Sequence, residues 1–124
     1  DCTPASGAPQ GTYVFSGMRV IIDEQGFCKT ETGRLMGSTK PVVYGMKVLA
    51  DKLGYSLPEL VQLSSLNPAK FYGFAQTKGS IEVGKDADLV VLDPEFAVLH
   101  TYVRGIHVYD KQEGVNYFNP NFLK

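Results

Sequence analysis

The spacing of the apolar residues changes twice along this chain, and that change limits the folds it can adopt. Residues 12–16 and 19–23 alternate apolar and polar side chains or run through β-branched ones, which favours strands. From 42 to 53 the apolar residues recur at helical spacing, and from 89 onward short apolar runs return. The order strands, helices, strands predicts an α+β chain. We expect one small sheet assembled from both ends, with three helices inserted between them.

The helical region has recognisable beginnings and ends. The first helix, marked by a stripe of apolar residues, is expected to end at Gly54. Ser56 and Glu59 then form a capping box at which a second helix is expected to begin. Asn67 followed by Pro68 predicts the start of a third, short helix. The apolar positions expected in the stripe are Val42, Met46, Leu49 and Leu53, and those expected to be buried on the second helix are Leu57, Leu60, Val61 and Leu63.

The two flanking regions combine strands with glycine-rich and proline-rich loops. Residues 27–30 predict a return strand, and residues 31–41 a loop. Residues 89–92 form a continuous apolar run typical of a strand buried on both faces. Residues 99–103 and 106–109 predict a hairpin turning at Arg104-Gly105, followed by a polar tail that carries Tyr117, Phe118 and Phe122.

Composition excludes several classes of function. A net charge of −1 argues against a nucleic-acid binder. No apolar run is long enough to span a bilayer, so no membrane partner is expected, and no signal peptide is visible. The expected location is the cytoplasm, where thiols stay reduced. Cys2 and Cys28 are too few for a disulfide framework and are expected to be free thiols.

Two motifs are weak signals of chemistry. Residues 79–86 approach a phosphate-binding loop, but Asp86 stands where a hydroxyl would be needed for Mg²⁺, so we expect a tight turn. His100 and His107 lie on opposite arms of the predicted hairpin with no third ligand at a metal spacing. We expect them to be exposed or half-buried strand residues that do not converge.

Several ordered segments nevertheless resemble one family. They are residues 17–20, 26–28, 33–38, 64–70, 79–81 and 84–93, which include the runs Gly-Arg-Leu-Met-Gly-Ser and Gly-Lys-Asp-Ala-Asp-Leu. Together they are similar to the end of the N-acetylglucosamine-6-phosphate deacetylases of the amidohydrolase superfamily, over residues 1 to about 110. The resemblance implies the C-terminal part of a metal-dependent (β/α)₈ barrel with a small β-sandwich domain.

The resemblance also implies a division of the chain and a site. Residues 1–11 would be the loop after the last barrel strand, 12–34 sandwich-type strands, 35–75 the final barrel helices, 76–110 C-terminal sandwich strands and 111–124 an aromatic tail. Asp1 would be the catalytic general base, while Leu35, Met36 and Gly37 would line the sugar pocket. The ligands of the divalent metal, zinc or iron, would lie upstream, so no metal site is expected in this chain.

The function that follows is hydrolysis of the acetamide of N-acetylglucosamine 6-phosphate in amino-sugar metabolism. This chain would be an inactive C-terminal fragment, and its partners would be the phosphorylated amino sugar, the remainder of its own chain and, in a homo-oligomer, further copies. Two alternatives stay open. One is another metal-dependent amidohydrolase with a different N-acyl substrate, and the other is a non-enzymatic β-rich interaction module.

Overall fold

The computed structural model describes residues 3–115 and divides the chain into two compact units, Asp1–Gly45 and Met46–Lys124. Its elements follow the predicted order of strands, helices and strands. The strands from the two ends do not share one sheet, however. They form two separate four-stranded antiparallel sheets, because each strand pairs with its neighbour along the chain.

The first sheet contains the strands β1 (Gly11–Phe15), β2 (Met18–Ile22), β3 (Cys28–Thr30) and β4 (Leu35–Gly37), in that order across the sheet. The first three confirm the predicted strands. Strand β4 lies in the segment expected to be a loop, so that expectation was wrong. The backbone of Leu35 and Gly37 pairs with β3 despite the glycine-rich composition, which shows that pairing with a neighbour outweighed local propensity.

The core of the first unit lies on one face of this sheet. Val20 and Ile22 are two residues apart on β2 and therefore face the same side, where they are 1% and 2% exposed. Cys28 and Ala5 complete the cluster, and Tyr13, Phe15 and Met36 pack against it while partly exposed. Cys28 is a free, buried thiol, as expected, whereas Cys2 lies outside the described residues.

The helical region contains α1 (Val42–Leu53), α2 (Leu57–Val61), a π-helical segment (Gln62–Leu66) and α3 (Asn67–Phe71). The capping box is confirmed: a carboxylate oxygen of Glu59 accepts the Ser56 backbone N–H at 2.8 Å and the Ser56 hydroxyl at 2.6 Å.

The predicted third helix is present as α3, beginning at Asn67, but Asn67 does not cap it as a separate helix, contrary to expectation. Its backbone is helical and its N–H donates to the Gln62 carbonyl five residues back. Pro68 has no N–H to donate, and the wider π turn before it lets the helix continue through the proline. Residues 57–71 are therefore one helical segment. It ends at Tyr72, followed by Gly73 with φ +78°.

Burial on the helices is sparser than predicted. Met46 and Leu60 are buried, at 8% and 1% exposure, but Leu57, Val61 and Leu63 are each more than two-fifths exposed. Val42 and Leu53 at the two ends of α1 are exposed as well. Three short elements cannot cover their own apolar stripes.

The second sheet contains β5 (Leu89–Leu92), β6 (Val98–Val103), β7 (Ile106–Asp110) and β8 (Gly114–Val115). The hairpin about Arg104-Gly105 is confirmed. Strand β5 forms where predicted, but it is an edge strand, and Val90 and Val91 are 54% and 40% exposed rather than buried on both faces.

The polar tail falls partly within the second sheet. Its first residues turn and pair as β8 against β7, whereas Tyr117, Phe118 and Phe122 lie outside the described residues. In the part of the chain that the structure describes, no helix is both long enough and apolar enough to cross a membrane.

Candidate functional site

The three residues expected to line a pocket lie on the edge strand β4. Leu35 is 60% exposed, and Gly37 is exposed with φ +124°, a conformation that disfavours a side chain. Met36 points to the other face and packs against the core of the first unit. The structure thus brings Leu35 and Gly37 to one open face and turns the Met36 side chain away from it.

The beginning of the described chain is fastened to the segment that follows β4. The Thr3 backbone N–H donates to the Ser38 carbonyl at 2.9 Å, and its hydroxyl donates to the same oxygen at 3.2 Å. The Gly7 N–H donates to the Thr39 carbonyl at 2.8 Å, and the Ser6 hydroxyl donates to the same carbonyl at 3.3 Å. Thr3 and Thr39 are themselves buried, at 9% and 7% exposure, and the bonds from the Thr3 and Ser6 hydroxyls are partly buried.

The Thr39 hydroxyl continues this connection by donating to the Gly26 carbonyl at 2.5 Å. An open cleft of about 330 Å³ lies at the junction, between the N-terminal loop, the β2–β3 turn and the segment after β4. Its lining includes Asp23, Glu24, Thr39 and Lys40. Lys29 lies 2.6 Å from a carboxylate oxygen of Asp23. Its hydrogen bond is the main reason that the pKa of the Asp23 carboxyl lies below its usual value, and the Phe27 backbone N–H adds to the effect. Sequence reasoning missed this cleft, because no motif marks it.

The proposed catalytic residue, Asp1, lies outside the described residues. Its role therefore stays a prediction. The nearest described residue in sequence is Thr3, which is hydrogen bonded beside Gly37 as described above.

The acidic motif at 84–88 proves to be an anchor within the second unit. Lys78 donates to Asp86 at 2.8 Å and also to Asp88, while the other carboxylate oxygen of Asp88 accepts the Arg104 N–H at 2.8 Å. Hydrogen bonding to Asp86 and then to Asp88 raises the pKa of Lys78. The turn expected at 79–86 is present: Gly84 has φ +93°, and the Lys85 N–H donates to the Glu82 carbonyl.

The nearby Gly79 is required by a close approach of backbones. A Cβ there would lie 2.7 Å from the Ala69 side chain and 3.1 Å from the Leu66 Cα, so a larger residue would push this loop off the helical segment.

His100 and His107 do converge, against expectation. Their ring centroids are 5.3 Å apart, and Nδ1 of His100 lies 3.1 Å from a carboxylate oxygen of Asp110. His100 is half-buried and His107 exposed, which agrees with the predicted exposure. Sequence spacing could not show the convergence, because it depends on an irregularity in the pairing of β6 and β7.

The model of the amidohydrolase family matches residues 11–116. The chain belongs to the amidohydrolase family. Amidohydrolases are generally metal-dependent enzymes, and the strands of both sheets lie within the matched residues.

Within this family, the chain is similar to individual deacetylases. The N-acetylglucosamine-6-phosphate deacetylase of Vibrio furnissii is 33% identical over 110 residues, which cover 89% of this chain and 27% of that protein. The N-acetylgalactosamine-6-phosphate deacetylase of Escherichia coli O157:H7 is 31% identical over 105 residues, covering 85% and 28%.

A solved amidohydrolase structure shares the fold. The N-acetylglucosamine-6-phosphate deacetylase of Pasteurella multocida superposes with a TM-score of 0.77 at 34% identity, over 86% of this chain and 28% of that one. The chain thus spans little more than a quarter of the length of these relatives. No barrel is visible among the elements of residues 3–115.

Proposed function

We propose that this chain is the C-terminal part of a metal-dependent amidohydrolase that removes the acetyl group from N-acetylglucosamine 6-phosphate. The observation that supports this most strongly is the family match over residues 11–116, joined by the similarity to deacetylases named for that sugar. Strands of both sheets would belong to a β-sandwich domain, and the helices to the outer layer of a (β/α)₈ barrel.

In this proposal the carboxylate of Asp1 is the general base. It accepts a proton from the attacking water and then donates it to the nitrogen of the leaving amine, so that the C–N bond breaks to acetate and glucosamine 6-phosphate. The position of Thr3 supports the assignment, because Thr3 follows Asp1 by two residues and is hydrogen bonded to Ser38, directly after the pocket strand.

The open face of β4 would contact the sugar. Leu35 offers an apolar side chain and Gly37 a bare backbone that a ligand can approach closely, while Met36 holds the strand to the core. A divalent ion bound to such an enzyme supplies an activated water and polarises the amide carbonyl. A leucine, a thioether and a glycine do not fit the ligand set of such an ion, so the reaction steps assigned to this chain involve proton transfer and sugar contact only.

The remaining chain of the enzyme would be the main partner of this one. The exposure of Leu57, Val61, Phe71 and Tyr72 supports this, because that much apolar helix surface is costly to leave in water. The buried free thiol of Cys28 supports placement in a reducing compartment such as the cytoplasm. Assembly into a homo-oligomer is part of the proposal and is checked by sedimentation of the longer protein.

The proposal is tested on the longer protein that carries this chain at its C-terminus, assayed with zinc or iron for acetate release. Asp1→Asn should lower kcat by about 100-fold or more, because the proton acceptor is lost. Asp51→Asn, which changes an exposed helix residue, is the control and should keep full activity. Near-normal turnover of Asp1→Asn would remove the assigned role.

A second substrate is favoured by one relative, the galactosamine-type deacetylase at 31% identity. The two sugars differ only in the configuration at one hydroxyl, so both belong in the same assay at equal concentration. Preference for the galacto sugar would change the substrate but keep the reaction. Absence of acetate from both would favour another N-acyl substrate or the non-enzymatic interaction module.

A further inference from the structure

The hairpin of β6 and β7 gathers two imidazoles and a carboxylate on one face of the second sheet. One ligand atom from each of His100, His107 and Asp110 can be chosen so that all three lie within 4.8 Å of one another. These are the only two histidines of the chain. The proposed deacetylation does not use them.

A break in strand register brings them together. His100 pairs with Asp110 and Thr101 with Tyr109, but Tyr102 pairs with His107, so Val108 is an extra residue in β7. In a regular strand, His107 and Asp110 are three positions apart and would point to opposite faces. The bulge turns both to the face of His100, while the Val108 side chain is buried, at 8% exposure.

Neighbouring groups hold the carboxylate and one ring in place. Oδ1 of Asp110 accepts the backbone N–H groups of Gln112 at 2.8 Å and Glu113 at 3.3 Å, which leaves Oδ2 facing His100. The Tyr102 ring stacks on His107 with centroids 4.8 Å apart. Such outer contacts orient ligands in known metal sites.

The contact between His100 and Asp110 has the spacing of two ligands of one ion. Nδ1 of His100 is buried and makes no hydrogen bond, although Oδ2 of Asp110 lies only 3.1 Å away. Two atoms bound tetrahedrally to zinc at about 2.0–2.1 Å are separated by about 3.3 Å. The separation of this pair is therefore close to that of two ligands of one ion.

We propose that His100, His107 and Asp110 bind one divalent transition-metal ion, for which zinc is the best match. Two imidazole nitrogens and one carboxylate oxygen are ligands that zinc prefers, and the fourth position is left for water. The ion would fasten His100 of β6 to β7 across the bulge. This inference goes beyond the proposed deacetylation and does not depend on it.

The test uses the 124-residue chain, freed of metal with a chelator and titrated with zinc chloride by isothermal titration calorimetry. One ion per chain is expected, together with a higher midpoint of thermal unfolding in its presence, because the ion binds only the folded hairpin. Cobalt(II) in place of zinc should give the intense visible absorption of a tetrahedral site.

Variants decide whether these residues hold the ion. His107→Gln and Asp110→Asn should each weaken zinc binding by about 100-fold or more, because losing a metal ligand lowers affinity at least as much as losing a group that hydrogen bonds to a ligand. Glu113→Gln is the matched control, because it changes an exposed acid three residues from Asp110 whose side chain lies outside the cluster. The far-ultraviolet circular dichroism of each variant checks that the sheet still forms.

Absence of a one-to-one step in the unmodified chain would overturn the proposal. So would a step that folded His107→Gln retains at full affinity, since the ion would then be bound elsewhere, for example by a cysteine. Neither result would alter the deacetylase assay, so failure of this inference and failure of the proposed function are separable.

Discussion

Strands β2 and β3 are joined by a loop that Asp23 closes, and strands β5 and β6 by a loop that Asp93 closes in the same way. One carboxylate oxygen of each aspartate accepts two backbone N–H groups, from Gln25 and Phe27 in the first loop and from Glu95 and Ala97 in the second. A lysine lies at the other oxygen in both cases. The two sheets thus share their loop chemistry.

Their cores differ. In the first sheet, Val20 and Ile22 of the inner strand β2 are almost completely buried, whereas in the second, Val90 and Val91 of the edge strand β5 are 54% and 40% exposed. The hairpin turns are again alike, with φ +50° then +78° at Ser16-Gly17 and at Arg104-Gly105. Local turn chemistry is therefore enough to form a sheet, but only the first one seals a core among the described residues.

The largest expected difference comes from truncating one valine in each sheet. Val20→Ala should lower the free energy of unfolding by about 2 kcal/mol, because it removes buried methyl groups and leaves a cavity. Val90→Ala should cost less than about 1 kcal/mol, since its side chain is already 54% exposed. Urea unfolding, with hydrogen exchange resolved for each sheet, measures both. Equal costs would mean that the second sheet is covered as well as the first.

The effects expected at the two hairpin turns are smaller than those of the valine truncations and equal to each other. Gly17→Ala and Gly105→Ala each place a Cβ at φ +78°, where an L-residue is strained, and each should cost about 1 kcal/mol. Neither Cβ would meet an atom closer than 3.9 Å, so the cost is that of the backbone alone. Gly45→Ala in α1 is the control and should stabilise the chain by up to about 1 kcal/mol. Markedly unequal costs at the two turns would contradict their equivalence.

The smallest expected effect is a loss of stability at low pH, which the loops closed by Asp23 and Asp93 should share. Hydrogen bonding to Lys29, then to the Phe27 N–H, lowers the pKa of Asp23, and the Ala97 N–H is the main cause of the lowered pKa of Asp93. A carboxyl with a depressed pKa contributes stability above its unfolded pKa and loses it as the pH falls through the folded value. Both loops should therefore weaken below the usual pKa of 3.8.

Asparagine variants separate charge from hydrogen bonding in these loops. Asp93→Asn keeps an oxygen for the two backbone N–H groups and should remove the acid dependence of its own loop while leaving that of the Asp23 loop. Carboxyl-carbon NMR titration follows each site. A pKa of Asp93 at or above its ordinary value would contradict the prediction.

Much of this architecture could be read from residue types. The three strands before residue 31, helix α1 ending before Gly54, the capping box at Ser56 and the hairpin at Arg104-Gly105 all follow from local preferences, and all are present. The family resemblance likewise depended on short ordered segments that need no structure to detect.

Where sequence reasoning failed, a second segment of the chain was decisive. Pairing with β3 made residues 35–37 a strand, and the lost N–H of Pro68 was absorbed by a π turn that merged two expected helices. Burial at Leu57 and Val90 depends on what covers them, which an apolar pattern alone does not reveal.

The amino-acid sequence alone determined the order of elements, their turns and the family. Each of these depends on residues close together in the chain. Tertiary structure decided that the strands form two sheets, that Thr3 lies beside the end of β4, and that His100, His107 and Asp110 share a face. Such arrangements depend on register and packing between distant segments, and a one-residue bulge at Val108 is enough to reverse the direction of a side chain.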